Sequence, residues 1–317
     1  MTTQLDKLSI DTLRVLAIDG VQKANSGHPG TPMALSPAAY VLWTKFLKHN
    51  PKNPQWWDRD RFVLSCGHAS MLIYGLLHLT GYDLPLQELV NFRQWGSKTP
   101  GHPEVGHTPG VETTTGPLGQ GIGNAAGMAI AERVLAAKFN KPGHDIVNHR
   151  TFAFVSDGDV MEGVGMEGAA LAGHLGLEKL VCLWDDNKIT IEGDTHLAFT
   201  EDVPARFTAM GWRVLTVTDG EDLGALERAF QEALRPCGKP TLIACRTIIG
   251  FPSPNRQGTA KAHGEPLGKD EAAATKQIMG WDPESQFHIP AEAAANWGAC
   301  VPKGAEAETK WRTEFAS

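Results

Sequence analysis

The chain has little cysteine, and what it has is scattered. Its 317 residues include five cysteines, an odd number, with no C-x-x-C pair among them. This excludes a disulfide framework and a cysteine-based zinc site, and it indicates reduced thiols in a cytoplasmic protein.

Basic clusters and long apolar runs are missing too. The net charge is −7 with no concentration of Lys or Arg, which argues against nucleic acid as a partner. The first residues, MTTQLDKLSID, lack the charged and apolar regions of a signal peptide. The longest apolar stretch, residues 71–79, contains His78 and is too short to cross a bilayer, so no membrane partner is expected.

Apolar residues make up 42% of the chain, enough for a sizeable core. Short β-rich runs at 151–155 (TFAFV) and 180–184 (LVCLW) predict buried strands, and the Met, Glu, Ala and Leu of 162–175 predict a helix between them. Further strands are expected at 61–64, 212–218 and 240–249, separated by helical segments. The alternation predicts an α/β fold: a doubly wound, mostly parallel sheet flanked by helices.

Polar residues follow the two central strands, Asp157-Gly158 after the first and Asp186-Asn187 after the second. Ligands of open α/β sheets bind at such carboxyl ends. The oxygens of Asp157 and Asn187 suit Mg²⁺ or Ca²⁺, and phosphates commonly complete the shell of Mg²⁺. Gly158 and a following helix N-terminus favour a phosphate, so the stretch suggests a diphosphate held through a metal. On pattern alone, two strand-capping turns explain it about equally well.

Four histidines lie in Gly- and Pro-rich or strand-to-helix loops, where a side chain has little freedom to move. They are His28 (GHPG), His68 (CGHAS), His102 (PGHPE) and His263 (AHGE). Each, taken alone, is explained at least as well by an incidental loop histidine as by a ligand-facing one. His102 and His107 lack helical spacing and a cysteine partner, so zinc is not expected there.

Residues 121–126 (GIGNAA) fit the loose dinucleotide pattern G-x-G-x-x-G/A. No apolar strand precedes them and no acidic ribose partner follows at the expected distance, which argues against a nicotinamide-dependent dehydrogenase. Gly121, Ala125 and Ala129 instead recur about once per turn, which predicts a helix packed closely on its neighbour.

Asp157-Gly158 with the downstream Asn187 resembles the thiamine diphosphate motif, and the fuller strings SDGDVMEGVGMEG and DDNKITIEG are similar to those of the transketolase family. The resemblance implies thiamine diphosphate as cofactor, with Mg²⁺, Ca²⁺ or another divalent cation. It implies that Asp157, Asn187 and the backbone carbonyl of Ile189 bind the metal. Ser156 departs from the glycine that is usual in the wider cofactor family.

The resemblance extends to other residues. It implies that Gly158 and Gly116 of the GPLGQG loop lie against the diphosphate, with Leu118 and Ile191 beside the cofactor rings. It implies that all four histidines belong to the active site, with His68 and His263 also contacting the cofactor. The last pair is Glu162, expected in the first turn of the central helix, and Glu167. In the family these join a carboxylate network at the subunit interface.

The implied activity is transfer of a two-carbon ketol unit from a ketose phosphate to an aldose phosphate, by a homodimer. Residues 1–280 are expected to form the diphosphate-binding domain, and 281–317 the start of a linker to a pyrimidine-binding domain. In the family that domain supplies an activating glutamate, so this chain alone is not expected to catalyse the transfer. A non-catalytic assembly half-subunit remains an alternative. 1-Deoxyxylulose-5-phosphate synthase and dihydroxyacetone synthase are rivals within the same cofactor class.

Overall fold

The computed structural model describes residues 2–317, and a parallel sheet of five strands runs through its centre. The strand order is β1-β2-β3-β7-β6. The strands are β1 (Arg61–Leu64), β2 (Thr151–Ser156), β3 (Leu180–Asp186), β6 (Arg213–Val217) and β7 (Thr241–Arg246). A separate two-stranded hairpin is formed by β4 (Ile189–Thr190) and β5 (Gly193–Asp194). The strands expected from the sequence are confirmed, with ends shifted by up to three residues.

Helices cover both faces of the sheet, which confirms the doubly wound α/β fold. The helices are α1 (Gln4–Ala24), α2 (Gly30–Val41), α3 (Ser70–Thr80), α4 (Leu86–Val90), α5 (Gln120–Phe139), α6 (Asp157–Met161), α7 (Gly163–Leu175), α8 (Val203–Ala209), α9 (Leu223–Ala233), α10 (Lys269–Met279), α11 (Ala291–Gly298) and α12 (Cys300–Ala316). None of the helices in the described residues combines the length and the apolar composition that a membrane-spanning segment needs.

Alternation along the strands divides the core into two layers. Phe152 and Phe154 of β2 belong to the larger cluster, which includes residues of α1, α2, α3 and α9. Ala153 and Val155 belong to the cluster with α5, α7 and α8 on the other face. With both faces covered, the strands are apolar along almost their whole length and the polar residues are left at their ends.

Helix α5 approaches its neighbours closely, as its small residues predict. A Cβ atom on Gly121 would lie 2.5 Å from Cα of Ser65, and one on Gly168 of α7 would lie 3.0 Å from Cα of Gly123. Residues 121–126 lie wholly inside α5 and do not form a phosphate-binding turn. The structure therefore gives the dinucleotide pattern no support.

The helix expected over 162–175 differs from the structure. The chain turns helical earlier, at Asp157, because Ser156 and Asp159 form a reciprocal capping box. It then breaks at Glu162, whose backbone is extended (φ −78°, ψ 133°), and resumes at Gly163. The expectation that Glu162 lies in the first turn of a helix is therefore wrong.

Residues after 281 include two helices, α11 and α12. Trp297 of α11 is fully buried in the larger cluster, and its Nε1 donates a hydrogen bond to the carbonyl of Ser9 at 3.1 Å. The domain boundary at residue 280 stays a prediction, and this packing weighs against a mobile linker beginning there.

Replacing Trp297 with alanine tests that packing. We expect Trp297→Ala to lower the free energy of unfolding by about 3–5 kcal/mol, because it removes a large buried side chain. Urea titration followed by circular dichroism measures it. Trp95→Ala is the matched control, since Trp95 is fully exposed. Equal stability of the two variants would show that α11 is not part of the core.

Candidate functional site

The parallel register brings the polar strand ends together. Ser156 at the end of β2 pairs with Asp185 near the end of β3. The carboxylate of Asp157 accepts hydrogen bonds from the backbone N–H of Lys188 at 2.8 Å and from Nε1 of Trp184 at 3.2 Å. These bonds tie the first residue after β2 to the segment that follows β3.

The side chain of Asn187 is fixed on both sides. Its Nδ2 donates to Oδ2 of Asp185 at 2.9 Å, and its Oδ1 accepts from the backbone N–H of Ile189 at 2.9 Å. Asp185 is fully buried and also accepts a hydrogen bond from Oγ1 of Thr247. The side chain of Asn187 is thereby held in one orientation. The hydrogen bond from Lys188 places Asp157 beside the segment that contains Asn187 and Ile189.

This cluster carries excess negative charge. Burial, with the neighbouring charges of Asp185 and Asp186, raises the pKa of Asp157 to about 7. Burial also raises the pKa of Asp185 to about 6. The nearby cations Lys188 and Arg246 are directed at Asp186, at 2.6 Å and 3.6 Å. A cation near Asp157 would stabilise the charged carboxylate against both its burial and the repulsion from Asp185 and Asp186.

Within residues 2–317, no three His, Cys, Asp or Glu side chains are arranged to hold a metal. A cation at Asp157 would therefore need amide, carbonyl or phosphate oxygens to complete its shell. Those are the ligands that Mg²⁺ and Ca²⁺ accept and that zinc sites rarely use.

Three of the four histidines that were predicted to belong to the site form one cluster. The ring centroids of His28 and His68 are 5.0 Å apart, those of His68 and His263 are 5.1 Å apart, and those of His28 and His263 are 5.6 Å apart. They come from the loop before α2, the loop after β1 and the loop after β7. His102 is exposed and lies beside Gly116, where an added Cβ would be 3.2 Å from its Cγ.

The clustered rings are neutral near pH 7. Burial, aided by the charges of His263, Arg93 and His102, lowers the pKa of His28 to about 4. Burial lowers the pKa of His68 well below its usual value, and lowers that of His263. Buried Nδ1 of His28, Nε2 of His68 and Nδ1 of His263 have no hydrogen-bond partner among the described residues. These nitrogens are available to a bound ligand.

The expected cofactor-contacting residues also come together. A Cβ on Gly158 would lie 2.7 Å from Cδ1 of Leu118, and one on Gly67 would lie 2.7 Å from the backbone nitrogen of Gly116. A Cβ on Gly264 would lie 3.3 Å from Cδ1 of Ile191. The same position lies 3.4 Å from the His28 ring, so Ile191 borders the histidine cluster.

The structure does not bring Glu162 and Glu167 into this cluster. Both are exposed. Cβ of Glu162 packs on the loop before α5, where a Cβ on Gly119 would lie 2.6 Å from it. Sequence reasoning missed Asp159, which is fully buried beside the site. The available signal was its position three residues after Ser156, the spacing of a capping box.

The family model described as "Transketolase, thiamine diphosphate binding domain" matches residues 5–317. The chain belongs to the transketolase family. It is 55% identical over 316 residues to "Transketolase" of Halalkalibacterium halodurans, covering 100% of this chain and 47% of that protein. It is 57% identical over 307 residues to "Transketolase 1" of Escherichia coli, covering 97% and 46%.

Solved structures agree with this assignment. Transketolase of Pichia stipitis in complex with sedoheptulose 7-phosphate superposes with a TM-score of 0.97 at 48% identity, covering 99% of this chain and 46% of that one. Transketolase from Leishmania mexicana gives a TM-score of 0.97 at 47% identity, covering 100% and 47%. This transketolase-family chain therefore spans about half the length of the relatives it matches.

The neutral histidine cluster of this transketolase-family chain should make its free energy of unfolding depend on pH. The pKa of a histidine in the unfolded chain is about 6.5, whereas the pKa of His28 in the folded chain is about 4. The unfolded state binds more protons between these values, so stability is full above pH ~6.5 and falls with pH through that window. Between pH ~7 and ~5 the free energy of unfolding of the unsubstituted chain should therefore fall. We expect this fall to be about 1 kcal/mol smaller in His28→Gln, a figure that allows for the partial exposure of His28.

Urea titrations at the two pH values measure this difference. His174→Gln, at an exposed position of α7, is the control and should leave the loss unchanged. An identical loss in the His28 variant and the unsubstituted chain would contradict burial of a neutral ring.

Proposed function

We propose that this chain is the diphosphate-binding half of a transketolase, which binds thiamine diphosphate through a divalent cation. The observation that carries the proposal is the acidic Asp157–Asn187 cluster, joined through neighbouring loops to three histidines, each of which has a buried ring nitrogen without a partner among the described residues. A family model described as a thiamine diphosphate binding domain fits that chemistry.

The metal ligands from this chain are Asp157, Asn187 and the carbonyl of Ile189, and the cation is Mg²⁺ or Ca²⁺. The raised pKa of Asp157 supports this, because the carboxylate is buried and lies beside the charges of Asp185 and Asp186, and a divalent cation would stabilise its charged form. The bond from Asn187 Nδ2 to Asp185 supports it further, since it orients the amide oxygen for ligation.

The cofactor lies between the loops of Gly116, Leu118 and Gly158, with Ile191 beside its rings. Close packing supports this, since a side chain on Gly158 would collide with Leu118. Glycine at this position lets the backbone lie against Leu118, so the residue expected beside the diphosphate and the one expected beside the rings are neighbours.

When bound, thiamine diphosphate supplies the carbanion chemistry that carries a two-carbon ketol unit from a ketose phosphate to an aldose phosphate. The chain's own contribution is orientation and proton handling. As neutral rings, His28, His68 and His263 each offer one donor and one acceptor to substrate hydroxyl groups or phosphate oxygens. His102, at the exposed side, is the fourth substrate-facing group.

A second domain completes the site in this proposal. Glu162 and Glu167, both exposed, face it across a subunit interface, and its glutamate activates the cofactor's pyrimidine. The assembly is a homodimer or a pairing with a complementary subunit. Five free thiols, four of them buried, are consistent with the cytoplasm as its location.

Removing the metal ligand tests the proposal. We expect Asp157→Ala to raise the dissociation constant of thiamine diphosphate, measured by calorimetry with Mg²⁺, at least about a hundredfold, because losing an outer-shell partner alone commonly costs 10–100-fold. EDTA should have a similar effect on the unsubstituted chain.

Asp186→Ala is the matched control, since its carboxylate is directed at Lys188 and Arg246. It should change the dissociation constant far less. Equally tight binding in EDTA and in Mg²⁺ would contradict a metal-bridged diphosphate.

A further inference from the structure

Asp159 is fully buried, and its carboxylate accepts four hydrogen bonds. Its Oδ1 accepts from Oγ of Ser65 at 2.7 Å and from the backbone N–H of Gly119 at 2.7 Å. Its Oδ2 accepts from the backbone N–H of Ser156 at 2.8 Å and from Oγ of Ser156 at 3.0 Å.

These donors come from three separate segments, and each segment carries a residue of the candidate site. Ser65 precedes His68 in the loop after β1, Gly119 follows Leu118 in the loop before α5, and Ser156 directly precedes Asp157. One carboxylate thus joins loops that are remote in sequence.

We propose that Asp159 is a positioning residue that holds the loops of His68, Leu118 and Asp157 in the relative arrangement that the cofactor requires. The identity of the cofactor in this inference rests on the proposed function. The geometry rests on the four hydrogen bonds of Asp159. Asp159 itself lies behind the site and acts through the loops that it joins.

Helix capping alone does not account for this arrangement. The capping box with Ser156 uses Oδ2, whereas Oδ1 is bonded only to Ser65 and Gly119, which lie outside α6. The surroundings are also closely packed: a Cβ on Gly165 would lie 2.9 Å from the carbonyl oxygen of Asp159. The same Cβ would lie 3.1 Å from Cα of Gly119, so the Gly119 loop is closely packed at this point.

A carboxylate suits this position better than an amide does. Both of its oxygens accept, whereas an asparagine has one accepting oxygen and an NH₂ group. In Asp159→Asn the NH₂ group must face a backbone N–H, either that of Gly119 or that of Ser156. That leaves a buried donor without a partner, which loosens the loop to which it belongs.

Asp159→Asn and Ser65→Ala test the inference, with Asp60→Asn as matched control. Asp60 is also a buried carboxylate, and it accepts from the backbone N–H groups of Lys48 and Arg150 at 2.8 Å and 2.7 Å. Asp60 lies at the opposite end of β1 from Ser65. Replacing its carboxylate should therefore lower the stability of the fold and leave the candidate site unchanged.

Three quantities are measured on the full chain. They are the hydrogen-exchange rate of the Gly119 amide without ligand, the dissociation constant of thiamine diphosphate with Mg²⁺, and the melting temperature. For Asp159→Asn we expect the exchange rate and the dissociation constant each to rise about tenfold or more. Ser65→Ala, which removes one bond, should raise the dissociation constant by a smaller factor. Asp60→Asn should lower the melting temperature and leave the other two quantities unchanged.

The outcomes separate this inference from the proposed function. If the unsubstituted chain binds and Asp159→Asn binds equally tightly, or if Asp60→Asn weakens binding as much, the positioning role is wrong. If the unsubstituted chain does not bind, the proposed function fails and with it the cofactor-directed role, while Gly119 exchange still shows whether Asp159 holds the loop. If Asp159→Asn does not fold, unchanged binding by Ser65→Ala overturns the inference.

Discussion

The site depends on negative charge that the fold concentrates at the carboxyl end of two adjacent strands. The parallel register of β2 and β3 brings Asp157 beside the Asp185–Asn187 segment, and the Lys188 N–H and Trp184 indole hold its carboxylate there. Burial, together with the charges of Asp185 and Asp186, raises the pKa of Asp157 to about 7. A divalent cation bound there, as proposed above, would offset that charge, and a diphosphate could complete its coordination.

The histidine cluster lies beside the acidic cluster and differs from it in charge. His28, His68 and His263 come from loops after different elements, and burial keeps their rings neutral. Neutral rings do not repel a cation held nearby, and each can donate and accept a proton at neighbouring ligand atoms. An acidic cluster of side chains and a neutral, hydrogen-bonding one therefore lie at the same edge of the sheet. This arrangement suits a ligand that joins a metal-bound diphosphate to a reactive ring.

The strands, the meeting of the Asp157 and Asn187 segments at one edge of the sheet and the close packing of Gly121 could all be predicted, because each depends on local composition or spacing. The prediction that the histidines lie in one site depended on the family resemblance, because their spacing in the sequence does not show which of them are close in space. The break at Glu162 was missed because helix propensity outweighed the glycines around it, although Ser156 and Asp159 carried a capping signal. The packing of Trp297 was missed because residues 291–299 are mostly alanine, which gives no clear pattern of large apolar side chains.

A crystal of the chain grown with thiamine diphosphate and Mn²⁺ tests the central claim most directly. Mn²⁺ shares the oxygen ligands of Mg²⁺ and scatters anomalously. The account predicts one strong anomalous peak within bonding distance of the Asp157 carboxylate and the Asn187 side-chain oxygen, with the diphosphate on its open side. A cofactor bound with no metal at Asp157, or a metal bound elsewhere, would contradict it.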